Sequence, residues 1–85
     1  MSQAEIDVLA ERQRQIHAEG FDEAHDEHYT RGELTDAAVC YIWNDNSTWP
    51  WDLKWWKPKN RRRDLVRAAA LIIAEIDRID RKASQ

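Results

Sequence analysis

Apolar residues recur at helical spacing in three stretches of the chain, with long polar segments between them. Ile6, Leu9 and Ile16 share one side of the first stretch, where Gln13 fills the missing step. Leu34, Ala37, Ala38, Tyr41 and Ile42 mark one face of the second. In the third, Leu65, Ala69, Ile72, Ile76 and Ile79 form the strongest stripe, widened by Val66, Ala70 and Ile73. A period of 3.6 residues predicts helix in all three places, and no stretch of useful length alternates as a strand would. The third stretch carries the clearest pattern and is expected to be the central helix of the core.

Local punctuation sets the boundaries. Ser2 with Glu5 forms a capping box at the first start, and Gly20 is placed to end that helix. Thr30 with Glu33 reads as a second capping box, and the last helix begins near Asn60 or Arg61. The predicted helices span about 3–19, 31–43 and 61–82. Between the second and third lies a segment, 44–60, whose Asn, Asp, Ser and two prolines break regular structure. Asp52 to Trp56 can make one short helical turn inside it. The expected fold is all-α: a small three-helix domain, residues 1–85, with a long Trp-rich loop between helices 2 and 3.

Length sharpens this picture. A chain of 85 residues buries only a little over half of the surface its unfolded form exposes, so it gains from large aromatics or from a second copy of itself. Five tryptophans supply the first, and a homodimer would supply the second. At least two indoles are expected to fill the thin core and one or two to stay partly exposed. The single cysteine, Cys40, permits no intramolecular disulfide and falls on a helix as a small apolar residue. Met1 to Gln15 holds no apolar run of signal-peptide type, and no stretch is long enough to span a membrane. These features predict a cytoplasmic protein.

Charge is strongly segregated although the net value is only −3. Residues 1–36 carry ten acids against Arg12, Arg14 and Arg31, whereas residues 54–67 carry seven bases against Asp64 alone. Arg61, Arg62 and Arg63 crowd the N-terminal end of the last helix, which is already electropositive and favours acids. Two readings stand open. An anionic guest answers them, such as a phosphate, a nucleotide or an acidic protein surface, or the chain's own acids do, with Asp22 to Glu27 or Asp64 the candidates. Beside them, Trp49, Trp51, Trp55 and Trp56 interleave with Lys54, Lys57 and Lys59, a mixture suited to stacking a ring and holding a phosphate, and equally to a protein contact. The negative total argues against broad nucleic-acid binding.

Two further clusters carry chemistry. His17, His25, Asp26, His28 and Glu33 have types that bind divalent metals, but their spacing matches no metal signature, and such residues are ordinarily solvated or paired. The block Glu11 to Gln15, with Arg12 within it, is polar where the first helix needs anchoring. It is either a solvated face or a polar dock against Arg61 to Arg63 or the tryptophan loop. The candidate ligand-binding residues are therefore Arg61, Arg62, Arg63, Lys57, Lys59, Trp55, Trp56, Arg12, His25 and Asp26, with no cofactor and no metal assigned.

The motifs ERQRQ (Glu11 to Gln15), AHD (Ala24 to Asp26), WPWD (Trp49 to Asp52), WWKPK (Trp55 to Lys59) and RRRDL (Arg61 to Leu65) together resemble a family of small proteins of tailed bacteriophages and prophages. The likeness runs from Glu11 to Arg81. It implies a non-enzymatic protein of the infected cell's cytoplasm, an anti-defence or host-takeover factor binding a host protein or an anionic nucleotide. A fainter likeness is to the all-helical nucleotide pyrophosphohydrolases of the MazG type. It implies magnesium held by Glu33 and Asp36 with Glu11 or Glu75, although the paired-glutamate motif of those enzymes is incomplete here.

Overall fold

The computed structural model describes residues 1–19 and 30–84. Among these residues three α-helices follow one another: α1 (Gln3–Glu19), α2 (Glu33–Trp43) and α3 (Arg61–Ala83), with a 3₁₀ turn, Leu53–Trp55, between α2 and α3. No strand occurs among the described residues. The architecture is thus all-helical, with a Trp-rich segment between the second and third helices, as the periodicity requires.

The caps explain the boundaries. The Ser2 backbone N–H donates to Glu5 Oε1 at 2.9 Å, and the Glu5 N–H donates to Ser2 Oγ at 3.1 Å, closing the reciprocal box that starts α1. Asn60 caps α3 by accepting from the Arg63 N–H at 2.9 Å. At α2 the structure departs from the expected box. The helix begins at Glu33 rather than Arg31, after Gly32, whose φ of 82° only glycine adopts freely. The Glu33 carboxylate turns back to accept from the Arg31 N–H at 2.6 Å, so Thr30 plays no capping part. Gly20, the expected stop of α1, lies outside the described residues.

α3 packs against both α1 and α2, while the backbones of α1 and α2 do not approach each other closely among the described residues. α3 is therefore the central element, but through a different face from the one its pattern suggests. The buried side carries Asp64, Val66, Ala68, Ala70, Leu71 and Ala74. The stronger stripe turns outward: Leu65, Ile72, Ile76 and Ile79 are between 40% and 51% exposed. The reason lies in size. Ala68, Ala70 and Ala74 let neighbouring helices approach closely, and Leu34, Ala37, Ala38 and Tyr41 of α2 complete that core. Ile42, Trp49, Trp51 and Trp56 pack over its edge.

α1 shows a similar inversion. Ile6 and Leu9 are exposed, whereas Glu11, Arg12 and Gln15 are buried. The polar block is the docking face of this helix, and it reaches the arginine end of α3. Cys40 is buried as expected, its Sγ 3.3 Å from Thr48 Oγ1. Among the described residues no helix is long and apolar enough to cross a membrane.

Candidate functional site

α1 and α2 flank α3, and between them lies a cleft that the Trp-rich segment walls. Glu11, Arg14 and Gln15 come from α1, Tyr41 from α2, Arg67 and Leu71 from α3, and Trp49, Trp51, Trp55 and Lys57 from the connecting segment. The space they enclose is about 70 Å³. That is room for a few waters or for one phosphate- or carboxylate-sized group, and well short of a drug-sized pocket.

The segment holds its shape through ring packing and local hydrogen bonds. Trp49 meets Tyr41, Trp51 and Trp56 edge-on, with centroids 5.6, 5.3 and 5.0 Å away. Trp56 lies against Tyr41 at 4.8 Å. These separations are those at which aromatic pairs attract. The Trp49 indole N–H donates to the Asp52 carbonyl at 3.1 Å, and Asp52 accepts from the Lys54 N–H at 2.9 Å, fixing the 3₁₀ turn. The Lys57 N–H reaches the Tyr41 hydroxyl at 3.5 Å, tying the segment to α2. Trp55 is left at the rim, 45% exposed, with the ammonium groups of Lys54 and Lys57 each 5.5 Å from its ring. Trp43, at the end of α2, is 73% exposed and stands apart from the cluster.

The floor of the cleft is charged. Glu11 is 1% exposed and accepts two hydrogen bonds from Arg14, both at 2.7 Å, with a third from Arg63. Burial raises the pKa of such a carboxyl. The Arg14 hydrogen bonds, and the fields of Arg14, Arg63 and Arg67, outweigh burial and hold it below the ordinary carboxylate range. Arg67 donates to the Lys57 carbonyl, lies 3.6 Å from Asp64, and places its guanidinium 5.8 Å from the Tyr41 ring centroid. Asp64 is buried and also accepts from the Lys59 N–H at 2.8 Å. Gln15 is 3% exposed, and its amide N–H₂ reaches Glu11 at 3.4 Å. Its carbonyl Oε1 is buried with no hydrogen-bond partner among the described residues.

The arginine triplet is answered from within the protein. Arg61 donates to the Ile42 carbonyl, Arg62 pairs with Asp7 at 2.9 Å, and Arg63 pairs with Glu11. Among the described residues the answering acids come from α1 and not from Asp64, while Asp22 to Glu27 lie outside the described residues. Arg62 keeps a largely exposed side chain. Of the other sequence candidates, Lys57 and Trp55 belong to the cleft, and Trp56 backs it through Tyr41 and Trp49. Lys59 is exposed and enters only through its backbone, and Arg12 is buried in α1. His25 and Asp26 lie outside the described residues, as does His28. Arg14, Gln15, Tyr41 and Arg67 join the site without having been singled out as ligand residues, whereas Trp49 and Trp51 belong to the aromatic and basic stretch already marked for stacking. The polar block of α1 was the available signal for the first two.

The acids that a magnesium hydrolase of the MazG type would need do not gather. Glu11 is held by arginines, Glu75 pairs with Arg78 at 2.5 Å, and Glu33 caps the Arg31 N–H. Among the described residues no group of three His, Cys, Asp or Glu side chains is placed to hold a metal. Comparison with protein-family models, with curated proteins and with solved structures finds no match to this chain.

Proposed function

We propose that the protein is a non-enzymatic binder of a small anionic, nucleotide-like ligand, and that the cleft between α1, α2 and the Trp-rich segment receives it. One observation carries this reading: the Gln15 carbonyl, without a hydrogen-bond partner among the described residues and buried in a cleft whose charged lining is Arg14, Lys57, Arg67 and an already satisfied Glu11. A buried acceptor without a donor costs about 1–3 kcal/mol, and a ligand N–H or O–H would recover that. The three cations favour an anionic group in the same molecule. The enclosed volume admits only part of such a ligand, so its ring would lie on the exposed face of Trp55 between Lys54 and Lys57. A nucleotide combines these three properties. The resemblance to small phage proteins suggests where such binding would act, in sequestering a nucleotide signal during infection.

Tryptophan fluorescence titration tests the reading. Nucleoside mono-, di- and triphosphates and cyclic nucleotides form the panel, with inorganic phosphate alongside. At least one nucleotide should quench with saturation. Trp55→Ala and Lys57→Glu, both at exposed positions, should each weaken that binding about tenfold, the equivalent of 1.4 kcal/mol. A panel that leaves the fluorescence unchanged would remove the proposal. Release of pyrophosphate in magnesium buffer would overturn its non-enzymatic half.

A further inference from the structure

The outward stripe of α3 has a stricter pattern than a surface needs. Leu65, Ala69, Ile72, Ile76, Ile79 and Ala83 follow one another at intervals of four, three, four, three and four residues. That is the a/d repeat of a coiled-coil seam, carried over 19 residues on the side of the helix that faces away from the core. Along its flank, Ala4, Val8 and Leu9 of α1 border Ile73 and Leu65 with very little polar surface between them. We infer that α3 pairs with α3 of a second copy of this chain, antiparallel, to form a homodimer whose two-fold axis crosses the outward seam midway between Ile72 and Ile76.

Pattern and charge both choose this occupant and this orientation. A strict seam matches another seam, and the chain carries its own. In the antiparallel arrangement Leu65 faces Ala83 of the second copy, Ala69 faces Ile79, and Ile72 faces Ile76. Large residues then oppose small ones at each end and two isoleucines fill the middle, which packs without voids. A parallel pair would set Ala69 against Ala69, leaving a gap. It would also bring Arg61, Arg62 and Arg63 of both copies side by side, whereas the antiparallel pair keeps the triplets at opposite ends. α3 is roughly 34 Å long at 1.5 Å per residue, and the α1 rim widens its strip. Two copies would bury on the order of 1,000 Å², the lower bound of a specific interface, so the dimer should be concentration-dependent.

Analytical ultracentrifugation of the full chain across a range of micromolar concentrations tests this. The wild type should pass from monomer to dimer. Ile72→Glu and Ile76→Glu should each shift that transition at least tenfold upward while leaving the helical circular dichroism intact, because both side chains are exposed in the single copy. A wild type still monomeric at about 1 mM, near the upper end of biochemical affinities, would overturn the inference and leave the face to a foreign partner. A dimer that persists in both variants would place the interface elsewhere. Disulfide trapping reads the orientation without depending on those variants. The double variant Leu65→Cys with Ala83→Cys should oxidise to a covalent dimer. Leu65→Cys alone should not, since antiparallel packing holds the two positions about 27 Å apart along the axis. Rapid trapping by the single variant would overturn the antiparallel pairing.

Discussion

Glu11 is almost wholly removed from solvent, and what keeps it ionised is two arginines from different helices. Its carboxyl sits below the ordinary value of 4.5, so the folded state binds its proton less readily than the unfolded state does. The stabilisation it brings is complete above that unfolded value and fades as the pH drops through the folded value. Glu11→Gln should therefore cost about 2 kcal/mol at neutral pH, the scale of a hydrogen bond to a charged group. The variant should also flatten the acid limb of a stability profile measured by urea unfolding between pH 3 and 7. An unchanged acid limb would show that Glu11 is not the group responsible. This residue also shows what a sequence does and does not disclose. The polar block Glu11 to Gln15 is conspicuous in a helix with few apolar residues, and its docking on the arginine end of α3 was one of two open readings. That Gln15 would end with a bare buried carbonyl depends on where Tyr41 and Trp51 arrive from 26 and 36 residues away, and no local pattern reports it.

Helix ends are written in short-range chemistry, and here they were legible. Ser2 with Glu5 and Asn60 cap as their residue types require, and the ends of α1 and α3 fall within one residue of expectation. α2 is the exception, because Gly32 in a left-handed conformation supersedes the Thr30 box. A Cβ at position 32 would meet nothing within 4 Å, so the cost of Gly32→Ala is conformational alone. About 1 kcal/mol of stability should be lost by thermal or urea unfolding, and Gly32→Asn should lose less because asparagine tolerates this region. Equal losses in the two variants would indicate a steric cause instead. Asn60→Ala should cost a similar ~1 kcal/mol through the lost bond to the Arg63 N–H, measured in the same way. The face of α3 was not legible from periodicity. The helix carries two apolar sides, and the bulkier is the more conspicuous on a helical wheel. The side that packs is the one whose alanines permit close approach, a choice set by tertiary geometry rather than by hydrophobicity.

The three helices are not held together by the same forces, and this divides the molecule. α2 and α3 share an apolar core of Leu34, Ala37, Ala38, Tyr41, Ala68, Leu71 and Ala74, extended by three tryptophans that contact it. Among the described side chains, α1 contributes none to that core. Its buried side chains among the described residues are Glu11, Arg12 and Gln15, and it meets the arginine end of α3 through Asp7 with Arg62 and Glu11 with Arg63. Hydrophobic burial is unaffected by moderate acid, whereas these links vanish when the carboxylates are protonated. Asp7, like Glu11, is held below its ordinary value, by the Gln3 amide first and then by Arg62, so both links persist at neutral pH and each is lost in acid. α1 should accordingly open as a unit before α2 and α3 do. Native-state hydrogen exchange read by NMR should show the amides of its central turns exchanging through a lower-energy opening than those of Ala68 to Ala74. The gap should widen between pH 5 and pH 3, as the pH falls below the ordinary carboxylate values and through the lowered ones, and Arg63→Gln should reproduce at neutral pH part of what acid does. Because the cleft takes Glu11, Arg14 and Gln15 from α1, the same opening would dismantle one wall of the site. Protection in α1 equal to that in α3 at both pH values would refute this division and show a single cooperative unit.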